Sequence, residues 1–205
     1  MKLLLENWRK FINEQDEPQS EYQIFCDLDG VLVDLISGVS KVIYADPPPD
    51  AKDKWIKAQK ETREALNGEE LTQESVSENK TVRNFMFRVM AKNSSFWANL
   101  DWMPGGKELW NYIKQYNPII LSRPTDSDSE DGKREWVEFH LGLSGEARVK
   151  VEYDKSPFAQ HEGKTGILID DFEKNTIAFE NSGGIAILYH GNPTVAIKKL
   201  KEFGF

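Results

Sequence analysis

The stretch YQIFCDLDGVLVD, residues 22–34, decides the fold. Its first five residues are an apolar run that ends in acid, which reads as a strand buried on both faces. Asp27, Asp29 and Asp34 follow that strand, with Gly30 marking a turn between them. Working outward, strands are expected at 118–122, 147–152, 166–170 and 185–189. Helices are expected at 105–116, 132–141, 173–181 and 193–203. Strands that alternate with helices signal an α/β fold with a Rossmann-like, three-layer parallel sheet.

Residues 35–103 separate the first strand from the second half of this pattern. They read as a small helical cap inserted after the first strand. Helices are expected at 35–45, stopped by Pro47–Pro49, at 50–67 and at 80–91. Residues 69–79 are polar, and 94–103 are aromatic and irregular. The core domain is then 22–34 plus 104–205. Residues 1–21 are an N-terminal helix and linker. Leu4, Leu5, Trp8, Phe11 and Ile12 fall at near-helical spacing, so that helix is expected to dock on the domain or on a second subunit, forming a homodimer.

Composition excludes several classes. The chain has 205 residues, 26 Lys plus Arg against 34 Asp plus Glu, and a net charge of −8. An extended nucleic acid as partner is disfavoured, because gripping a polyanion requires a basic face. A small phosphorylated substrate in one pocket is not excluded. One cysteine, Cys26, leaves no internal disulfide and no multi-cysteine metal site. It reads as a buried strand residue pointing away from Asp27. No apolar run reaches 18 residues, so no membrane helix is expected. The N-terminus does not read as a secretory signal, which makes the cytoplasm the expected compartment.

The chemistry gathers at strand ends. Asp27 and Asp29 follow the first strand, Ser122 ends the second, and Asp170 and Asp171 end the fourth. In an open parallel sheet these carboxyl ends share one edge, where ligands bind. Two carboxylates 4 Å apart repel by about 4 kcal/mol at an effective dielectric of 20, so such a cluster stays ionised only beside a cation. Oxygen-only ligands favour Mg²⁺.

Asp27-Leu28-Asp29-Gly30-Val31-Leu32-Val33-Asp34 resembles the first motif of the haloacid dehalogenase superfamily, most of whose members are phosphotransferring hydrolases. Leu121-Ser122 resembles the second motif and Ile169-Asp170-Asp171 the acidic fourth. Ser94–Gly105, Lys133–Glu138 and Asp154-Lys155 are similar to the 5′(3′)-deoxyribonucleotidase branch. The resemblance implies a phosphomonoesterase acting on a nucleoside monophosphate. Asp27 would be the nucleophile, forming an aspartyl-phosphate, and Asp29 the general acid and base. Gly30 would let the backbone turn beneath the phosphate. Mg²⁺ would be held by Asp27, the Asp29 carbonyl and one of Asp170 and Asp171.

Ser122 and a lysine would hold the transferring oxygens. Lys133, placed at a helix start, and Lys155 both match the third motif. Arg123–Gly132 reads as a solvated loop whose Arg123 touches phosphate. The resemblance places Trp97, beside Phe96, where a base would stack, with packing of cap onto core as the alternative. Leu35 stands where nucleotidases often carry an aromatic. Two other readings stay open: a phosphatase for a sugar phosphate or nucleic-acid phosphate end, and a non-catalytic binding module of the same fold.

Overall fold

The computed structural model describes residues 21–49 and 51–205. The N-terminal helix and its docking lie outside these residues.

Six strands form one sheet: β1 (Tyr22–Cys26), β2 (Ile119–Ser122), β3 (Val149–Val151), β4 (Gln160–His161), β5 (Lys164–Asp170) and β6 (Ile185–Leu188). The order is β3-β2-β1-β5, and β4 and β6 both pair with the far side of β5. All pairings are parallel except β4 with β5, a two-residue antiparallel contact at the start of β5. The expected all-parallel sheet is corrected at that point alone.

β1 is central, its register setting Phe25 beside Ile119 and Ile24 beside Ile167. Side chains alternate between faces with a period of two. Ile24, Cys26, Ile120, Ile167 and Ile169 therefore join one core layer. Phe25, Ile119, Leu121, Leu168 and Phe179 join the other. Cys26 is fully buried on the opposite face from Phe25, as the alternation predicts.

The cap comprises α1 (Leu35–Tyr44), α2 (Asp53–Leu66), α3 (Gln73–Glu78), α4 (Lys80–Met90) and α5 (Ser94–Ala98). α4 turns Val82, Phe85, Met86 and Val89 inward at i, i+3, i+4 and i+7, the stripe of an amphipathic helix. Two helices were not expected. α3 exists because Thr72 and Ser75 form a capping box that satisfies its first N–H groups. α5 starts on Asn93, whose side chain accepts from the Phe96 N–H.

The core adds α6 (Gly106–Ile113), α7 (Ser127–Leu141), α8 (Glu173–Asn181) and α9 (Pro193–Glu202). α7 corrects the solvated loop expected at 123–132. Asp126 caps the helix by accepting from the Ser129 N–H, so the acidic stretch is its first turns. Carboxylates there also complement the positive end of the helix dipole. Lys133 consequently sits in the second turn, not at the helix start.

α5 packs on α7 at Gly132. A Cβ there would lie 2.2 Å from the Ser94 carbonyl oxygen and 2.6 Å from Trp97 Cβ. Replacing Gly by Ala in an exposed helix interior stabilises by about 1 kcal/mol. Here the sign reverses: Gly132→Ala is expected to destabilise by about 1–3 kcal/mol through overpacking. A midpoint equal to or above that of the unaltered protein in thermal unfolding would show that α5 is free to move off α7.

Candidate active site

The carboxyl ends of β1, β2 and β5 meet at one edge and bring their polar residues together. Asp27 is 6% exposed, and one of its oxygens accepts from the Leu28 N–H at 2.7 Å. Lys155, in the loop after β3, places its ammonium 2.9 Å from Asp27 and 2.6 Å from Asp170. Burial pulls this ammonium's pKa down, but the charges of Asp27 and Asp170 more than offset it, and the pKa is raised.

Asp170 is fully buried. Besides Lys155, it accepts from the Phe172 N–H at 2.9 Å and from Asn175 Nδ2, which lies 3.1 Å from both oxygens. Asn175 stands on the first turn of α8 and was missed in the sequence. Its signal was a polar residue five positions after a strand-end acid.

Lys133 joins the next group. Its Nζ donates to Asp29 at 2.6 Å, to Ser122 Oγ at 3.2 Å and to the Arg123 carbonyl. Lys133 and Lys155 therefore share the site, one on each side. Burial raises the pKa of the Asp29 carboxyl, against the lowering pull of Lys133. The second oxygen of Asp29 is buried and has no hydrogen-bond partner among the described residues.

Asp171 lies over Gly30. Gly30 has φ +76°, and a Cβ there would sit 2.0 Å from Asp171 Oδ2. The same oxygen accepts from Gln73 Nε2, reaching across from the cap, at 2.8 Å. Burial, then the charge of Asp27, pushes Asp171 up to about 7.

Oxygens of Asp27, Asp170 and Asp171 lie within 4.8 Å of one another, a set that can hold a metal ion. Four acids here face two ammoniums, Lys133 and Lys155, so the acids outnumber the cations that offset them. The donors are all oxygen, and a divalent cation among them would keep Asp171 ionised. The residues fit Mg²⁺.

The acids open into a cavity of about 640 Å³ between core and cap. Asp27, Asp29 and Asp171 line it from the core, and Gln73, Arg83 and Met86 from the cap.

Three expected substrate contacts are placed elsewhere. Trp97 is 1% exposed, its indole N–H donates to the Met90 carbonyl at 3.2 Å, and Phe96 meets its edge at 5.6 Å. Neither ring lines the cavity. The stacking role is corrected for Trp97, since a ring enclosed by α5, α7 and Phe96 has no free face for a base. Its π-face instead lies 4.7 Å from Lys133 Nζ, which seats that ammonium. Arg123 is exposed and does not line the cavity; its carbonyl accepts from Lys133.

No family model matches the chain, and no curated protein matches it. Solved structures do. A hydrolase from Streptococcus pneumoniae TIGR4 superposes with a TM-score of 0.51 at 14% identity, over 90% of this chain and 99% of that one. The chain has that fold. A haloacid dehalogenase-like family hydrolase from Streptococcus pneumoniae gives 0.45 at 16% identity, over 87% and 97%. A HAD family hydrolase from Deinococcus radiodurans R1, with bound phosphate and sodium, gives 0.44 at 14%, over 88% and 89%. No helix of the described residues is long and apolar enough to cross a membrane.

Two outcomes test the site. Lys155→Met leaves Asp27 and Asp170 buried together without their cation, which is expected to cost about 3–5 kcal/mol. Added Mg²⁺ should raise the thermal midpoint more in that variant than in the unaltered protein; equal shifts would remove the metal from this cluster. Trp97→Ala is expected to cost about 3–5 kcal/mol of stability as a large-to-small core change. It should lower the specificity constants for a nucleotide and for para-nitrophenyl phosphate by the same factor. A selective loss for the nucleotide would restore the stacking role.

Proposed function

We propose that this chain is a phosphomonoesterase of the haloacid dehalogenase superfamily, working through an aspartyl-phosphate on Asp27. The observation that carries the reading is the buried Asp27 carboxylate at the mouth of the cavity, flanked by Lys155 and by the Asp170–Asp171 pair. A binding module would have no use for four converging acids at such electrostatic cost.

An Asp27 oxygen attacks phosphorus and the ester P–O bond breaks. Asp29, two residues on, gives a proton to the leaving oxygen. Its raised pKa suits that role, because the group must hold a proton before it donates one. Water then attacks the acyl phosphate, Asp29 takes its proton, and inorganic phosphate leaves with Asp27 restored. Mg²⁺, held by Asp27, Asp170 and Asp171, would supply positive charge against the transferring oxygens. Lys133, hydrogen-bonded to Ser122 and Asp29, supplies more from the other side.

The substrate we propose is a nucleoside monophosphate, on the likeness of residues 94–105, 133–138 and 154–155 to the deoxyribonucleotidase branch. A second reading, another small phosphate ester, is favoured by the cavity wall. Among the described residues no aromatic ring from the cap lines it; the cap offers Val76, Met86 and Met103, and the one ring on the wall is Phe172 of the core.

Phosphate release from a panel of nucleoside monophosphates, sugar phosphates and aryl phosphates, with and without Mg²⁺, tests both. Asp27→Asn changes one atom and is expected to abolish release while the fold and its thermal midpoint persist. More than a few per cent of residual activity would eliminate the covalent route. Preference for sugar phosphates over nucleotides would select the second reading.

A further inference from the structure

Every partner of the four acids among the described residues belongs to the core, with one exception. Asp27 meets Leu28 and Lys155, Asp29 meets Lys133, and Asp170 meets Lys155, Phe172 and Asn175. Asp171 alone is held by the cap, through Gln73.

The hydrogen bond is built in. Gln73 is the first residue of α3, and the Thr72–Ser75 capping box fixes where that helix begins. Leu71, two positions earlier, is buried and anchors the approach. On its other side, Asp171 rests against the Gly30 backbone, where no side chain can stand. The carboxylate is thus pinned between the nucleophile's loop and a cap amide, with the same Oδ2 atom facing both.

From this we infer that Gln73 is a positioning residue: its amide orients Asp171 for the divalent cation, so that cation binding and seating of α3 on the core favour each other. The inference rests on the proposed cation role of Asp171. Carboxylates that ligate metals are themselves oriented by hydrogen bonds, and losing such a partner costs 10- to 100-fold in metal affinity or activity. Linkage is reciprocal, so whatever α3 contributes to cation affinity the cation returns to α3.

Gln73 is solvent-exposed at the start of a short helix, so Gln73→Ala leaves the core intact. Mg²⁺ affinity, measured by calorimetric titration of the substrate-free protein, is expected to fall by about 10-fold or more in Gln73→Ala. Hydrogen–deuterium exchange of residues 73–78 should slow on adding Mg²⁺ in the unaltered protein and stay unchanged in the variant. Equal affinity in the two proteins, or exchange at α3 that ignores Mg²⁺ in the unaltered protein, overturns the inference. Failure of the unaltered protein to bind Mg²⁺ at all overturns the cation reading, and this inference falls with it.

Discussion

The buried triplet Asp27–Lys155–Asp170 is the interaction on which the site depends. Two carboxylates at the ends of adjacent strands repel, with Asp170 fully buried and Asp27 exposed only where it meets the cavity. One ammonium between them makes the arrangement tolerable. The geometry follows from the sheet: parallel pairing of β1 with β5 brings Asp27 and Asp170 to the same edge, and β3 delivers Lys155 through the loop that follows it. Removing the lysine exposes a repulsion that the fold otherwise conceals. Removing one acid leaves the lysine with the other.

That constraint also sets the division of labour among the acids. Asp27 and Asp170 share a lysine, whose charge opposes the upward push of burial on Asp170. Asp29 has Lys133 on one oxygen and, among the described residues, no partner on the other, and burial raises its pKa. Among the described residues Asp171 has Gln73 for a partner and no lysine, and it is pushed up to about 7. Four chemically identical side chains within one cluster thus have different surroundings, set by their neighbours and by solvent access.

Much of this was legible in the sequence because strands carry their chemistry at their ends. The run YQIFC followed by DLD, and GILI followed by DD, fixed which carboxylates converge; the parallel sheet did the rest. The start of α9 was legible because Asn192 and Pro193 announce a helix start. The beginning of α7 was not legible. Asp126–Asp131 has the composition of a loop, and only the reciprocal bonds between Asp126 and Ser129 make it a helix. The orientation of Trp97 was equally hidden, since an aromatic beside a cavity and one beneath it have the same local sequence. Gln73 left no trace either: a glutamine in a polar stretch acquires meaning only when a residue 98 positions away is folded beside it.

The contact at Gly132 has a consequence for how the insert is tied to the core. α5 meets α7 so closely that only a hydrogen fits between them, and the next residue along α7 is Lys133. The final leg of the inserted segment is therefore fused to the chemical machinery. Residues 53–90 have no such bond to it; their polar reach toward the acids ends in one glutamine amide. The shape of the cavity can therefore be altered in that outer portion, Gln73 apart, without disturbing the contact that seats Lys133. The insert is two parts tied to the core with different tightness, and the boundary between them lies at the loop joining α4 to α5.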